Sequence, residues 1–205
     1  MLANKTIKEF LAATASDAPV PGGGSIAALS ASISAALVEM VAGLTIGKKG
    51  YEEAEGEMTE VKAIAAKATV DFVEAIDKDA DSFEKFMVAM KMPKATDEEK
   101  AARSAAMQSA IVEAAEVPLS VAEAAFNFMK YTEVMVVKGN QNAVTDGAVA
   151  AMMARTAVIS ALYNVKINLG SIKDEAKVAE LSAKVKEIES KVNEVEASIL
   201  SKVNL

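Results

Sequence analysis

Hydrophobic residues recur with the period of an α-helix along most of this chain, most clearly in the segment from Phe72 to Met90. At about 100° per residue, its large apolar side chains form one stripe roughly 100° wide. The stripe contains Phe72, Ile76, Phe83, Phe86, Met87 and Met90. Asp79 falls in the middle of this stripe, whereas Asp77 and Asp81 fall on the far side of the helix. The pattern therefore predicts one carboxylate at a position where a hydrophobic residue is expected.

Two interpretations of Asp79 are open from the sequence. An unpaired buried carboxylate is costly and burial raises its pKa, so Asp79 either breaks the helix or is satisfied by a backbone or lysine partner. The alternative is a carboxyl group held in a pocket to transfer a proton. Spacing alone favours neither interpretation, because structural ion pairs also bury acidic residues.

Helical spacing predicts the other elements of the chain as well. The predicted helices are residues 6–14, 25–46, 52–92, 96–137, 148–169 and 174 to the C-terminal end. Thr96 and Glu99 form a capping box at the start of the fourth helix, and Pro118 is expected to kink or restart it.

The last predicted helix has a heptad pattern, with apolar residues at alternating spacings of three and four. These residues are Val178, Leu181, Val185, Ile188, Val192, Val195 and Ile199. No strand pattern or linker interrupts the chain. We therefore predict an all-α fold: one domain over residues 1–205, a bundle of long helices with a C-terminal heptad-patterned helix. That helix packs on the bundle, on a partner subunit, or on both.

The predicted helix 25–46 has two unlike faces. The aliphatic face carries Ile26, Leu29, Ile33, Leu37, Met40, Val41 and Leu44. The opposite face carries mostly small residues: Ala28, Ala31, Ser32, Ala35, Glu39 and Ala42. We expect a central helix covered on both faces, at a subunit interface. The helix is long enough to span a membrane, but its Ala and Ser content and the acidic Glu39 favour a buried helix and no membrane partner.

The turns at the two ends of this helix hold candidate binding residues. Pro19 to Ser25 reads PVPGGGS, and Ser25 is a suitable N-cap. The backbone N–H groups of Gly22, Gly23 and Gly24 suit an anion or a carbonyl oxygen, although a tight turn between packed helices is the alternative. At the other end, Lys48 and Lys49 either interact with the helix dipole or hold a ligand carboxylate.

A second junction, from Gly139 to Gly147, contains Asn140 and Asp146. Thr145 or Asp146 is expected to cap the helix that follows. Asn164 and Asn168 lie one turn apart on that helix, where two amides read the edge of a heterocycle or join two helices.

The composition limits the chemistry available to the chain, which has no cysteine and no histidine. Disulfides, thiolate chemistry, serine–histidine triads and histidine-based metal sites are therefore excluded. The net charge of −7, with both signs spread along the chain, argues against a nucleic-acid partner. Lys5, Lys8 and Glu9 interrupt any apolar N-terminal segment, so no signal peptide is predicted and we expect a cytoplasmic protein.

Several motifs resemble those of the cyclodeaminase/cyclohydrolase family, which includes the C-terminal domain of formiminotransferase-cyclodeaminase and stand-alone methenyltetrahydrofolate cyclohydrolases. The first is PVPGGGSIAALSASISAALVEMVAGLTIGKKGY, the segment from Pro19 to Tyr51. The second is the acidic motif from Asp77 to Phe83, followed by MKMPK. Similar family features are a Gly-Asn…Thr-Asp stretch and the segment from Tyr163 to Leu169. The resemblance covers nearly the whole chain.

The resemblance implies a homodimeric folate enzyme with a tetrahydrofolate substrate, no metal and no further cofactor. It aligns Asp79 with the family's catalytic residue. The candidate substrate-binding residues are Gly22, Gly23, Gly24, Ser25, Lys48, Lys49, Asn140, Asp146, Asn164 and Asn168. The chain carries no fused formiminotransferase domain, which favours the cyclohydrolase reaction over the cyclodeaminase reaction. A non-catalytic helical protein that binds partners through its C-terminal heptads is a third, weaker hypothesis.

Overall fold

Six α-helices account for most of residues 1–205, all of which are described by the computed structural model. They are α1 (Ile7–Thr14), α2 (Gly23–Thr45), α3 (Glu55–Met90), α4 (Asp97–Lys138), α5 (Val144–Leu169) and α6 (Glu175–Leu200). Short 3₁₀ turns precede α1, α3 and α5, and no strand is present. The all-α prediction is confirmed.

Helices α2 to α5 form the central bundle. The most extensive packing joins α2 to α3 and α4 to α5, while α2 also packs along α5 and α3 along α4. Helix α6 packs against α4 and α5. Its buried heptad residues are Leu181, Val185, Ile188, Val192 and Ile199. The heptad stripe therefore packs on the body of the bundle, and this surface is not free to bind a partner.

The two faces of α2 are used differently. Its small face is turned to the core, where Ala28 and Ala35 are fully buried and allow neighbouring helix backbones to come close. The aliphatic face lies largely at the surface, with Ile33, Met40 and Leu44 exposed by 40%, 41% and 49%. The protomer alone therefore covers only one of the two faces that we expected to be covered.

Two predicted N-caps are wrong. Helix α2 begins at Gly23 with Gly22 as its N-cap, so Ser25 lies inside the first turn. Helix α5 begins at Val144, directly after a 3₁₀ turn, and neither Thr145 nor Asp146 caps it. The capping box of Thr96 and Glu99 is confirmed at the start of α4.

Helix α4 continues through Pro118 without restarting. The ring of Pro118 is buried, and the helix tolerates the missing N–H group because the flanking residues pack against the core.

Two segments are long and apolar enough to cross a membrane by length and composition alone: α2, and Gln141–Leu169. Both belong to the central bundle, where core helices pass the same test. The sequence pattern pointed to only the first of them.

Candidate active site

A cavity of about 280 Å³ opens where the N-terminus of α2, the middle of α3 and the C-terminal half of α5 meet. Its lining consists of Pro19, Val20, Gly22, Gly23, Gly24, Asp79, Ser82, Phe83, Ala114, Asn164, Ile167 and Asn168. Asp79 is the sole ionisable side chain in this lining. The cavity therefore brings together one carboxyl group, two amides and a glycine turn.

The phase of α3 directs Asp79 toward this cavity. Phe72 and Ile76 are buried in the core, and Asp79 lies on the same side about one turn further on. Asp81 is exposed, while Asp77 accepts hydrogen bonds from the backbone N–H groups of residues 2 and 3. The prediction that Asp79 alone among these aspartates occupies the apolar stripe is confirmed.

Asp79 has a hydroxyl partner and no lysine partner. The Oγ of Ser25 donates a hydrogen bond of 2.8 Å to Asp79 Oδ2, and no salt bridge involves Asp79. Helix α3 is continuous from Glu55 to Met90, so Asp79 does not break it. The helix-break and lysine-partner explanations of Asp79 therefore do not hold, whereas a backbone partner is present, because the Ser25 backbone N–H and the Ser25 hydroxyl both contact the carboxyl group.

Burial raises the pKa of Asp79 above its ordinary value of 3.8. The Ser25 hydroxyl and the Ser25 backbone N–H act in the opposite direction, because both favour the charged form. The net effect is a carboxyl group that holds its proton more strongly than an exposed aspartate. Such a group is suited to take up a proton and return it during a reaction.

The glycine turn is required for close approach. A Cβ added to Gly24 would overlap the Asp79 carboxylate, and one added to Gly23 would lie 2.8 Å from Asn164 Nδ2. Both glycines are helical, and the positive φ angles of the chain occur at Gly47 and Gly50 instead. Gly23 and Gly24 are therefore needed for close approach of α2 to Asp79 and Asn164, and not for unusual backbone angles.

The two amides on α5 face the cavity with free oxygens. Asn164 Nδ2 donates to the carbonyl of Ser160 at 2.9 Å. Asn168 Nδ2 donates to the carbonyls of Ala114 and Asn164, at 2.7 Å and 3.0 Å. These carbonyls accept only, so they fix which end of each amide is NH₂. The Oδ1 atoms of Asn164 and Asn168 therefore remain available to accept hydrogen bonds from a ligand.

The remaining candidates lie at the other end of α2. At about 1.5 Å per helical residue, Lys48 and Lys49 are roughly 35 Å from the glycine turn. Asn140 contacts that end of the helix, since its Nδ2 donates to the carbonyl of Leu44 at 3.1 Å. Asp146 lies on the first turn of α5, beside the same junction. One protomer therefore does not unite all the predicted site residues.

Asn140 is the centre of a paired polar group at this second end. Asn140 Oδ1 accepts from Lys48 Nζ at 2.8 Å and from the Asn142 backbone at 3.1 Å. The Asn140 N–H donates to Thr45 Oγ1 at 2.9 Å. Lys49 is exposed and forms no ion pair within the protomer. Asn140 therefore joins the connection between α4 and α5 to the C-terminal end of α2.

Several cavity residues were not identified from the sequence. Ser82 and Phe83 follow Asp79 by three and four residues, so helical spacing placed them on its face. Ile167 follows Asn164 by three residues in the same way. Ala114 comes from α4, and no local pattern signals its position.

The same architecture and motifs occur in known folate enzymes. The sequence profile of the formiminotransferase-cyclodeaminase family matches residues 6–187, and the chain belongs to this family. The chain is 38% identical over 208 residues to the methenyltetrahydrofolate cyclohydrolase of Methylorubrum extorquens, with both proteins covered completely.

Other relatives share the domain within a different organisation or at lower identity. The formimidoyltransferase-cyclodeaminase of Gallus gallus is 36% identical over 181 residues, but this chain spans only 34% of its length. The crystal structure of a formiminotetrahydrofolate cyclodeaminase from Thermotoga maritima superposes with a TM-score of 0.88 at 28% identity. That comparison covers 99% of this chain and 98% of the other.

Proposed function

We propose that this protein hydrolyses 5,10-methenyltetrahydrofolate to 10-formyltetrahydrofolate, with Asp79 as the proton-transfer group. The observation that carries this proposal is the isolated Asp79 carboxyl, whose pKa is raised by burial in a cavity without another ionisable side chain. The full-length similarity to a methenyltetrahydrofolate cyclohydrolase supports the choice of reaction. The reaction needs no metal and no cofactor beyond its substrate, and we place it in the cytoplasm.

The proposed mechanism has two proton transfers at Asp79. Water adds to the electrophilic methenyl carbon while the Asp79 carboxylate takes a proton from that water, which gives a tetrahedral intermediate bridging N5 and N10. The carbon–N5 bond then breaks as Asp79 returns the proton to N5. The hydroxyl of the intermediate loses its proton to solvent and becomes the formyl carbonyl, so one proton is released overall. As an anion, Asp79 also stabilises the cationic methenyl group.

The amide oxygens match the donor groups of the substrate. A reduced pterin presents several N–H donors along its ring edge, and the free Oδ1 atoms of Asn164 and Asn168 are acceptors. The Asp79 carboxylate completes a set of acceptors that favours a cationic, donor-rich ligand. The cavity composition thus supports a methenyltetrahydrofolate substrate better than an anionic group at this position.

The alternative reaction is that of a formiminotetrahydrofolate cyclodeaminase, which the Thermotoga maritima structure favours. There N10 attacks the formimino carbon and ammonia leaves, and Asp79 would carry the proton to the leaving nitrogen. The same cavity serves either reaction, because both pass through a tetrahedral carbon between N5 and N10.

A spectrophotometric assay with both substrates side by side tests the proposal. We expect enzyme-dependent loss of methenyl absorbance with 5,10-methenyltetrahydrofolate, and no ammonia release with formiminotetrahydrofolate. Methenyl formation and ammonia release from the formimino substrate, without methenyl hydrolysis, would establish the alternative. Turnover of neither substrate would contradict both reactions.

We further propose that two copies pair along the exposed aliphatic face of α2. Ile33 and Met40 lie near the middle of this face and Leu44 near its end. An antiparallel, two-fold pairing of α2 helices would place the lysine end of one copy beside the glycine end of the other. Lys48 and Lys49 of the partner copy would then reach the glutamate tail of the bound folate. The roughly 35 Å separation within one chain supports this arrangement, since no single copy unites the two groups.

Mixing two inactive or weakened variants tests this pairing. Asp79→Asn is combined with the Lys48→Ala/Lys49→Ala double variant under conditions that exchange subunits. In the mixed dimer, one site joins an intact Asp79 to the intact lysines of the other copy, so low-KM activity should reappear. If the mixture shows only the KM of the lysine variant alone, the pairing is contradicted. A wild-type protein that sediments as a monomer would contradict it as well.

A further inference from the structure

Ser25 is fully buried beneath the cavity and does not line it. Its Oγ lies 2.8 Å from Asp79 Oδ2 and 3.2 Å from the backbone carbonyl oxygen of Ile76. A serine hydroxyl carries one proton to donate and lone pairs to accept. Ser25 is thus in reach of two acceptors but is able to donate to only one of them at a time.

We propose that Ser25 is a positioning residue that gives the Asp79 carboxyl a hydrogen-bond partner in both of its protonation states, by turning its O–H between Asp79 Oδ2 and the Ile76 carbonyl. The proposal rests on the proton-transfer role of Asp79 and assigns Ser25 a role distinct from substrate contact.

The hydroxyl fits each state without movement of a heavy atom. When Asp79 is ionised, the Ser25 O–H donates to Oδ2. When Oδ2 holds the proton, the carboxyl donates to Ser25 Oγ, and the Ser25 O–H turns to the Ile76 carbonyl at 3.2 Å. When Oδ1 holds the proton instead, Ser25 continues to donate to Oδ2. The carboxyl group therefore exchanges its proton without losing its Ser25 partner.

The other helices around Asp79 offer no substitute for this contact. Helix α2 contributes only glycine backbone besides Ser25, helix α4 contributes Ala114, and helix α5 contributes the neutral amides and Ile167. On α3 itself, Ser82 Oγ donates to the backbone carbonyl of Asp79 and not to its carboxyl. No charged side chain from any packed element lines the cavity, so Ser25 is the side chain that tunes the proton affinity of Asp79.

The variant Ser25→Ala tests the proposal through two titrations. Loss of the hydroxyl removes a donor that favours the carboxylate, so the pKa of Asp79 should rise. The acid limb of the pH profile of kcat/KM should move up by about one pH unit, with kcat lowered about tenfold. In unliganded protein with ¹³C-labelled aspartate, the carboxyl resonance that Asp79→Asn lacks should titrate at correspondingly higher pH.

A matched control separates this effect from a general loss of stability. Ser34 is also fully buried on α2, but its Oγ donates to the carbonyl of Ala150 at 2.8 Å and hydrogen-bonds to no ionisable group. Ser34→Ala should lower the melting temperature without moving either titration. If Ser25→Ala does not fold, Ser25→Cys replaces it, and its weaker thiol donor should move both titrations in the same direction by a smaller amount.

The outcomes distinguish this inference from the proposed function. If Asp79→Asn keeps its turnover, the proposed function is wrong and Ser25 has no proton-transfer group to position. If Asp79→Asn is inactive and folded Ser25→Ala titrates like the wild type in both measurements, only the role of Ser25 is wrong. A shift in both titrations, together with an inactive Asp79→Asn, supports both.

Discussion

Helix α2 has polar residues gathered at both of its ends, and the two groups differ in how their hydrogen bonds are used. At the N-terminal end, Asn164 and Asn168 have their donors fixed by backbone carbonyls and keep their oxygens free toward a cavity. At the C-terminal end, both the nitrogen and the oxygen of the Asn140 side-chain amide are used. Its Nδ2 donates to the carbonyl of Leu44, and its Oδ1 accepts from Lys48 Nζ and from the Asn142 backbone N–H. Asn164 and Asn168 have bonding capacity left for a ligand, whereas Asn140 uses its capacity to hold the α4–α5 connection to α2.

This difference separates a binding site from a structural junction where residue type does not. Glycine, asparagine and aspartate beside a turn occur at both ends, so these residue types alone do not rank one end above the other. A buried polar group that is fully paired stabilises the fold, and one with a free acceptor facing a cavity is available for recognition. The following predictions test that distinction, beginning with the largest effect.

Asp79→Asn should give the largest loss of activity. The amide has the same shape and still accepts the Ser25 hydrogen bond, but it does not take up a proton. We expect kcat to fall by about 10²–10⁴-fold, the usual contribution of a general acid–base group, with the fold retained. Circular dichroism and steady-state kinetics check this outcome, and Asp77→Asn and Asp81→Asn serve as controls with much smaller effects. Near-normal kcat in Asp79→Asn would refute the assignment.

The same variant should also change how stability depends on pH. Because the pKa of Asp79 is raised in the folded state, folded protein holds this proton at pH values where unfolded protein has lost it. The contribution of Asp79 to stability is therefore fully present below its ordinary pKa of 3.8 and is lost as pH rises through the folded pKa. Denaturant titrations should show wild type losing stability relative to Asp79→Asn across this window. If the difference in unfolding free energy between the two proteins stays constant across this pH range, the raised pKa of Asp79 is contradicted.

Gly24→Ala should have the next largest effect, on both activity and stability. The new Cβ would overlap the Asp79 carboxylate and force it aside. We expect kcat to fall about 100-fold, since a displaced group loses its alignment with the substrate. The unfolding free energy should fall by about 1–3 kcal/mol, as is usual for overpacking. Gly56→Ala is the matched control, because a Cβ at that helical glycine meets no atom within 4 Å. Activity that follows only the folded fraction would mean that the glycine is purely structural.

Asn164→Ala should raise KM with a smaller effect on kcat. Removing one acceptor of a substrate N–H group is expected to raise KM about tenfold. The counterpart at the other end, Asn140→Ala, should lower the unfolding free energy by about 1–3 kcal/mol and change KM less, because its bonds hold the α4–α5 connection to α2. Thermal melts and kinetics on both variants make the comparison. The opposite ranking would reverse the distinction drawn between the two ends.

Lys49→Ala should give the smallest effect, and salt should remove it. Lys49 is exposed and free of ion pairs, so its attraction for a folate carboxylate is screened. We expect KM to rise about two- to threefold at low salt and to match the wild type at about 1 M salt. Lys49 is chosen over Lys48 because Lys48 also binds Asn140. Equal KM values at low salt would exclude this contact.

The sequence predicted the helices and the phase of Asp79 because both depend on spacing within one element. It did not predict that Ser25 lies inside the first turn of α2. The Ser25 side chain bonds to Asp79, which lies 54 residues further along the chain, and not to the backbone of its own helix start. The sequence also did not reveal which face of that helix is buried. The alanine face of α2 is buried because neighbouring helices approach closely there. How closely they approach depends on all the packed helices together, so the sequence of α2 alone does not reveal it.

The distance between the two candidate groups follows from the sequence alone. A helix from residue 25 to 46 is about 33 Å long at 1.5 Å per residue, so Lys48 was already far from the glycine turn. The contribution of Ala114 had no such signal, because it depends on how α4 packs beside α5.

The contact between Ser25 and Asp79 also bears on how the enzyme becomes active as it folds. The two residues are 54 positions apart in the sequence. The N-cap residue of α2, Gly22, has no side chain that could cap the helix before this contact forms. A refolding chain that has formed its helices but not yet docked α3 on α2 therefore lacks the assembled proton-transfer group. Packing two helices through so non-local a contact is slower than forming either helix. Catalytic activity should consequently return after the helical circular dichroism signal, at the rate of long-range docking.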